Sequence, residues 1–317
     1  METTAVSENK ALMGSKPNTR LERLWKEIKK NRVYYLFIAP FGIIFFIFTV
    51  IPVIISILLS FTYFNVLEPP KFIGWANYVK LLFSDDIFLI AIKNTFLFAA
   101  ITGPIGYLMC LLFAWLINEL PPKLRAFLTL LFYAPTISGQ IYMIWTIMFS
   151  GDSYGYINGL LLKIGAILEP VQWFTDPKYM MPLVIVVVLW ISLGTSFLAF
   201  IAGLQGIDKT WFEAGAVDGI KNRWQELWFI TLPSMKPQLL FGAVMSITGS
   251  FGIGSVITAL VGFPSTDYAV HTVVHHLEDY GGIRFEMGYA SAIATILFFV
   301  MIASNRIIQK LLAKVGE

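Results

Sequence analysis

Residues Val33–Leu67 read VYYLFIAPFGIIFFIFTVIPVIISILLSFTYFNVL, without a single Asp, Glu, Lys or Arg. A helix that crosses the hydrocarbon core of a bilayer needs about 20 predominantly apolar residues. Five further charge-free segments of that order follow along the chain: Asn94–Asn118, Ala126–Gly151, Tyr179–Ile207, Pro237–Thr266 and Met287–Asn305. The sequence therefore predicts an all-α polytopic membrane protein with about six transmembrane helices.

The composition excludes a water-soluble enzyme. Of the 317 residues, 57% are hydrophobic and 14% charged, and the mean hydropathy is +0.71, whereas soluble globular proteins carry roughly 25% charged residues. A net charge of +3 is too small to indicate a nucleic-acid partner, and the single cysteine, Cys110, cannot form an intramolecular disulfide. We expect a multi-pass protein of the cell (inner, cytoplasmic) membrane.

The predicted transmembrane domain covers residues 33–312 and follows a basic N-terminal segment, residues 1–32. Its helices are expected at about 36–62, 90–118, 126–150, 180–205, 236–262 and 287–308, with a cytoplasmic loop at 207–233. Within the N-terminal segment, helical spacing places four apolar residues on one face: Leu21, Leu24, Trp25 and Ile28. That pattern favours a helix lying on the anionic cytoplasmic leaflet, with a solvated tail as the alternative.

The distribution of basic residues predicts the orientation. With the N-terminus in the cytoplasm, six crossings leave both termini on that side. Of the 23 Lys and Arg, 17 then lie inside, eight of them in the N-terminal segment and four between helices 4 and 5. Only six remain outside, so the positive-inside rule favours cytoplasmic termini.

The loop between helices 4 and 5 carries more structural signals than a linker needs. Asp208 is placed to cap a short helix, which Gly219 can end in a left-handed conformation. Asn222 followed by Gln225 is a second start signal, and Pro233 is tolerated in a first helical turn. These signals predict a helix–glycine turn–helix hairpin. Four residues of its second helix are expected on one face: Trp224, Leu227, Trp228 and Thr231.

At this loop the sequence resembles a known family. Glu213-Ala214-Gly215, Asp218-Gly219 and Ile230-x-Leu232-Pro233 are similar to the EAA motif (EAA…DG…I-x-LP) of the permease subunits of binding-protein-dependent ABC importers. Two more stretches resemble the sugar-importer, maltose-type branch: Arg125 to Trp145 with Gly155–Leu161, and Trp190 to Ile207. The resemblance covers about residues 30–312. Gly215 stands where a second Ala is usual, and one extra residue lies between Gly219 and Ile230, which leaves the register of the second helix open.

The resemblance implies that the loop is a coupling helix seated in a groove of a cytoplasmic ATPase. Glu213 would pair with a basic residue there, while Ala214, Gly215 and Ala216 would allow close approach. Gly219 would make the turn, and Asp218, Ile230, Leu232 and Pro233 complete the motif. It also implies a second permease subunit (a heterodimer), an ATPase dimer and an extracytoplasmic solute-binding protein. The alternative is a surface hairpin whose small residues serve packing alone.

No ATP-binding loop is present in the sequence. The chain contains no Gly-Lys pair and therefore no G-x-x-x-x-G-K-[ST] motif, so ATP and Mg²⁺ are expected on a partner ATPase and no cofactor on this chain. A proton- or sodium-coupled carrier usually keeps an ionisable residue within the membrane, and the six predicted spans have none between their ends. We therefore expect a transport subunit without catalytic residues, and not an enzyme.

A group of histidines is the nearest approach to a metal site. His271 and His275 are four residues apart and could share a helical face, with His276, Glu278 and Asp279 beside them. Zinc sites need a defined tetrahedral ligand set that this spacing does not enforce. We therefore predict no metal, and interpret the histidines as the polar lining of an external loop that contacts the binding protein.

A sugar path needs hydroxyl and amide groups together with aromatic faces. Helices 3, 4 and 5 offer nine candidates: Tyr133, Gln140, Trp145, Trp190, Ser192, Gly194, Thr195, Ser246 and Ser250. Ser246 and Ser250 lie four residues apart on one face and match sugar-contacting positions of maltose-type permeases, and the stretch from Trp190 to Thr195 resembles a sugar-contacting segment. The competing explanation is helix packing, for which membrane helices use small and hydroxylated residues.

The sequence thus predicts the permease subunit of an ATP-driven importer for a sugar, with an oligosaccharide as the expected substrate. Two other functions stay open. One is an importer permease for a non-sugar solute, although an anionic solute should meet a basic residue or a helix N-terminus at the midplane. The other is a membrane-embedded enzyme, for which only the histidine group could supply a reactive site.

Overall fold

The computed structural model describes residues 20–139 and 141–313. They form two units, of which the first ends at Ile55 and the second begins at Ser56. In the first unit, α1 (Arg20–Lys30) is a short helix in which Leu24, Trp25 and Ile28 are all exposed. Helix α2 (Arg32–Leu59) begins in this unit, contains a π-helical turn at Phe46–Val50, and buries none of its most apolar stretch. An apolar helix exposed in this way is suited to lipid or to another membrane helix.

The larger unit is a bundle of helices. Four helical segments of the described chain are long and apolar enough to cross a membrane, and two bent pairs raise the number to as many as six. One of the four, Pro177–Gln205, consists of two helices separated by a short break at residues 192–194. In chain order its helices are α3 (Ala76–Phe83), α4 (Asp86–Asn118), α5 (Pro122–Ile137), α6 (Tyr142–Met148), α7 (Tyr156–Lys163), α8 (Pro177–Ile191), α9 (Thr195–Gln205), α10 (Lys209–Val217), α11 (Arg223–Glu226), α12 (Lys236–Phe251), α13 (Gly254–Val261), α14 (Val273–Glu278) and α15 (Met287–Ala313). The protein is therefore a mostly helical, integral membrane protein, as the charge-free segments predicted.

Two predicted spans are broken helices. The predicted helix 126–150 is divided into α5 and α6, and the predicted helix 236–262 into α12 and α13, each pair bent by more than 40°. The first break follows Ser138, whose backbone is extended, and the second follows Gly252. Both breaks lie beside glycine, whose backbone leaves the helical conformation at little cost.

Helix α4 is the central element of the bundle. Asp85 accepts a hydrogen bond from the Phe88 N–H at 2.9 Å and so fixes the helix start at Asp86, earlier than the predicted 90. The helix then supplies buried residues to three separate apolar clusters: Phe88 to one, Phe98 to the next and Cys110 to the third. At 1.5 Å per residue its length is about 50 Å, enough to join both faces of a bilayer.

Two of the segments between the long helices have defined structure. An antiparallel pair, β1 (Thr62–Tyr63) and β2 (Lys71–Phe72), is the only departure from the predicted all-α class in the described ranges. The segment that contains α7 is held by the fully buried Asn158. Its amide donates to the carbonyls of Ser150, Asp152 and Val171 and its oxygen accepts from the Trp173 indole, so a polar loop keeps a fixed shape.

Candidate functional site

The predicted hairpin corresponds to α10, a glycine turn and α11. Asp208 accepts a hydrogen bond from the Thr210 N–H at 3.0 Å and begins α10. The turn is made at Gly219, whose φ is +95°, a conformation that residues with a Cβ rarely adopt. Asn222 then caps α11 by accepting from the Gln225 N–H at 2.9 Å. Each signal named in the sequence forms the local hydrogen bond or turn expected of it.

At Gly215, helix α10 packs against the turn and against the helical stretch that follows α11. A Cβ on Gly215 would lie 2.6 Å from Ile230 Cδ1 and 3.0 Å from Ile220 Cδ1. Because real Cβ contacts are longer than this, alanine does not fit unless a neighbouring side chain moves. The packing explains why glycine stands where the motif usually has a second alanine.

A π-helical turn at Leu227–Thr231 takes up the extra residue of the motif. Here the Leu232 N–H donates to the Leu227 carbonyl, five residues earlier, whereas an α-helix bonds four residues back. The wider turn buries Ile230 and Thr231 and leaves Trp228 65% exposed. The expectation that Trp224, Leu227, Trp228 and Thr231 share one face was therefore wrong, because regular α-helical spacing does not hold across this turn.

The hairpin presents its remaining motif residues outward. Glu213, Ala214, Ala216 and Asp218 are exposed, while Leu232 and Pro233 are half-buried behind them. Beside them are two large exposed apolar side chains, Trp211 at 56% and Val217 at 88%. A rigid, partly apolar surface of this kind is typical of a protein-docking site.

The structure brings five of the predicted path residues to one cavity of about 250 Å³, near the middle of α4. They are Ser192, Gly194, Thr195, Ser246 and Ser250. The cavity lining contains hydroxyl groups and no charged side chain. Ser250 donates to the Ile247 carbonyl and Ser192 to the Leu189 carbonyl, so their oxygens remain free to accept hydrogen bonds.

The lining includes four further small or polar residues that the sequence analysis did not single out: Thr102, Gly106, Thr136 and Ser196. A Cβ on Gly106 would lie 3.1 Å from Ser192 Oγ, so glycine lets α4 approach the cavity closely. Thr102 and Gly106 are four residues apart on α4 and therefore share one face of the helix. This spacing is the feature of the sequence from which they could have been identified.

The other predicted path residues lie elsewhere. Trp145 and Trp190 form an edge-to-face pair with ring centroids 5.5 Å apart, and the Trp145 indole N–H has no acceptor within the described ranges. Tyr133 lines a different cavity, of about 480 Å³, between α5 and α9. Gln140 lies outside the described residues. The aromatic candidates are thus not part of the hydroxyl-lined cavity.

The histidine group is buried, in contrast to the exposed lining expected from the sequence. His271, His275 and His276 are 3%, 1% and 2% exposed. His276 Nε2 lies 3.1 Å from Asp85 Oδ2, and Tyr289 donates to the same carboxylate oxygen at 2.7 Å. The loop is held inward because His276 ties it to Asp85 at the start of α4, and Tyr289 ties α15 to the same carboxylate.

Burial determines the charge of these histidines. It lowers the pKa of His271 and of His275 to about 4 and lowers the pKa of His276 as well, despite the neighbouring Asp85. At neutral pH the contact between His276 and Asp85 is therefore a hydrogen bond from an uncharged ring rather than an ion pair. Across residues 20–139 and 141–313, no group of three His, Cys, Asp or Glu side chains is arranged to hold a metal ion.

Comparisons with known proteins agree with these features. A family model described as "Binding-protein-dependent transport system inner membrane component" matches residues 105–315. The probable ABC transporter permease protein YesP of Bacillus subtilis is 33% identical over 86% of this chain and 88% of its own. The lactose transport system permease protein LacF of Rhizobium radiobacter is 35% identical over 68% of this chain and 72% of its own.

A solved structure shares the fold. A chain of the bacterial alginate ABC transporter, in complex with an alginate pentasaccharide-bound periplasmic protein, aligns with a TM-score of 0.72 and 26% identity. The alignment covers 93% of this chain and 100% of that one. With its helical bundle, its hairpin and these matches, the chain belongs to the family of inner-membrane components, or permeases, of binding-protein-dependent ABC transport systems.

Proposed function

We propose that this permease imports a sugar, and specifically an oligosaccharide, by coupling its movement to ATP hydrolysis on a partner chain. In the proposed assembly this permease and a second permease lie in the inner membrane. A cytoplasmic ATPase dimer holds ATP and Mg²⁺, and a solute-binding protein docks from the extracytoplasmic side. Both termini and the hairpin of α10 and α11 would lie in the cytoplasm, in keeping with the excess of basic residues on that side.

One observation carries the proposal: the outward face of the hairpin, with Glu213 and Val217 exposed while Gly215 and Ile230 are buried behind them. An exposed carboxylate beside small and apolar groups suits a groove that offers a basic residue and a close-fitting wall. Since the chain has no phosphate-binding loop of its own, the natural occupant is an ATPase.

In this mechanism the hairpin acts as a lever. Closure of the two ATPases on ATP would move the hairpins together, and the two permeases would rock between inward- and outward-facing states. ATP on the cytoplasmic side and the loaded binding protein on the opposite side both favour the outward-facing state. Because they favour the same state, the binding of one promotes the binding of the other.

The hydroxyl-lined cavity is the proposed substrate contact. Ser192, Ser246 and Ser250 offer acceptors for sugar hydroxyls, and the absence of charge from the cavity lining favours a neutral solute. At about 250 Å³ the cavity is small for an oligosaccharide. The second permease would therefore complete the site.

Purification from the native membrane in mild detergent tests the assembly. We expect a chain with a P-loop motif to copurify, and we expect the solute-binding protein to stimulate its ATP hydrolysis. Lactose, arabino-oligosaccharides and alginate pentasaccharide, screened for thermal stabilisation of the binding protein, then test the substrate class. Stabilisation by an amino acid or a peptide and by none of the sugars would overturn the sugar proposal and leave the importer assignment standing.

Paired serine variants test the cavity. Ser246→Ala and Ser250→Ala should each raise the KM of sugar uptake about two- to tenfold, the effect of losing one hydrogen bond. Thr295→Val is the control matched to Ser250→Ala, because Thr295 is likewise buried and donates to its own helix but does not line the cavity. An equal KM change in the control would assign the serines to packing.

A further inference from the structure

The hairpin is bonded to the central helix α4 by an ionic contact. Arg223, the first residue of α11, places Nη2 at 2.9 Å from Glu119 Oε2, directly after the end of α4. Its Nη1 lies 2.8 Å from Glu226 Oε2 on its own helix. One guanidinium thus joins the hairpin to itself and to the membrane helix.

An aromatic contact lies beside this ion pair. The ring of Trp224, the next residue of α11, is 5.1 Å from the ring of Trp115 at an angle of 50°. Trp115 is one helical turn before Glu119 on α4 and packs against the buried cluster that contains Cys110 and Phe197. Two adjacent hairpin residues therefore contact the same turn of α4.

The same helix reaches the cavity. Gly106 lines it and lies nine residues before Trp115, or about 14 Å along the helix axis. A closely packed helix moves as a rigid body. A displacement applied at Trp115 and Glu119 therefore moves α4 together with the apolar cluster that packs against it.

We propose that Arg223 and Trp224 on the hairpin, with Glu119 and Trp115 on α4, form a transmission contact that carries the movement of the hairpin to the wall of the cavity. The inference rests on the proposed function and adds positioning residues that lie outside the EAA motif. The ion pair is partly exposed, since the side chain of Arg223 is 63% exposed and that of Glu119 is 39% exposed. Breaking it should therefore leave folding intact and change the coupling between ATP hydrolysis and sugar uptake by about two- to fivefold.

Distance measurements on the purified complex test this contact. Cys110, the single native cysteine, is buried, so spin labels on cysteines introduced at the exposed Lys221 and Asp86 report the distance from the hairpin turn to the far end of α4. We expect the same narrow distance distribution in the nucleotide-free complex and in the complex trapped with MgATP and vanadate.

Charge reversal should break and then restore the link. Glu119→Arg and Arg223→Glu should each broaden or shift the distribution in the trapped state, and the double exchange should recover it. Glu226→Gln removes only the partner of Arg223 within the hairpin and should leave the distance unchanged. Trp224→Ala provides an independent test of the aromatic contact, with a broadening expected.

The outcomes separate the two proposals. A complex that never traps nucleotide would overturn the proposed function and the contact with it. A complex that traps nucleotide while the single charge reversals keep the wild-type distances, or while the double exchange fails to recover them, would overturn the transmission contact alone.

Discussion

Substitution of Gly215 by alanine tests the packing of the hairpin most sharply. The added Cβ would lie 2.6 Å from Ile230 Cδ1 and 3.0 Å from Ile220 Cδ1. Overpacking of this kind costs roughly 1–3 kcal/mol, while alanine in a helix gains up to about 1 kcal/mol over glycine. The net expectation is a loss of about 0–2 kcal/mol, with a hairpin held in a shifted geometry.

A second variant isolates the clash. Ile230→Val removes the Cδ1 atom, which costs about 1 kcal/mol when Gly215 is present. In the Gly215→Ala background the same change relieves the overlap and should cost nothing or stabilise. The double-mutant cycle should therefore give a favourable interaction of about 1–2 kcal/mol between the two substitutions.

Thermal unfolding of the purified protein, followed by tryptophan fluorescence, measures the cycle, and sugar uptake by the assembled complex measures its consequence. Gly42→Ala is the matched control, because that glycine is also helical and a Cβ there would meet nothing within 4 Å. Additive effects of Gly215→Ala and Ile230→Val on the Tm would refute the packing reasoning.

Three more expectations concern the loops. Gly219→Ala should cost about 1–3 kcal/mol and reduce uptake, because the strain comes from the φ of +95° and no atom lies within 4 Å of the new Cβ; an unchanged Tm would contradict it. The folded-state pKa values of His271 and His275, about 4, lie below the ordinary 6.5, so stability should be constant above pH 6.5 and fall as the pH drops from 6.5 towards 4. A Tm that rises as the pH drops from 6.5 towards 4 would contradict the neutral, buried state of these rings. Asn158→Ala should leave buried carbonyls unpaired at roughly 1–3 kcal/mol and make residues 150–176 more sensitive to proteolysis, while Asn65→Ala, at a half-buried site outside that segment, should not.

Features governed by local chemistry could be predicted from the sequence. Absence of charge predicts the membrane segments because a charged side chain within the hydrocarbon core is costly, and its residue type can be read directly from the sequence. Asp208, Gly219 and Asn222 indicate caps and a turn because their hydrogen bonds and backbone angles involve residues only a few positions away. The same holds for Ser246 and Ser250, which a fixed helical spacing places on one face.

Features that depend on distant contacts could not be predicted. The π-helical turn at Leu227–Thr231 keeps Ile230 against Gly215, a contact between two helices that no local pattern records. The histidine group is buried through contacts with residues far away in the sequence, among them Asp85, which lies almost 200 residues earlier and accepts a hydrogen bond from His276. The broken spans likewise depend on packing, since glycine and proline allow a bend but do not require one.

Site-specific photo-cross-linking from the hairpin tests the central claim most directly. A photoreactive residue at Val217, 88% exposed on the outward face, should form an adduct in native membranes with a chain whose peptides contain a P-loop motif. The same residue at Leu168, 95% exposed on the segment around α7, should not. An adduct with the P-loop chain from Leu168, or none from Val217 although the complex hydrolyses ATP, would contradict the account.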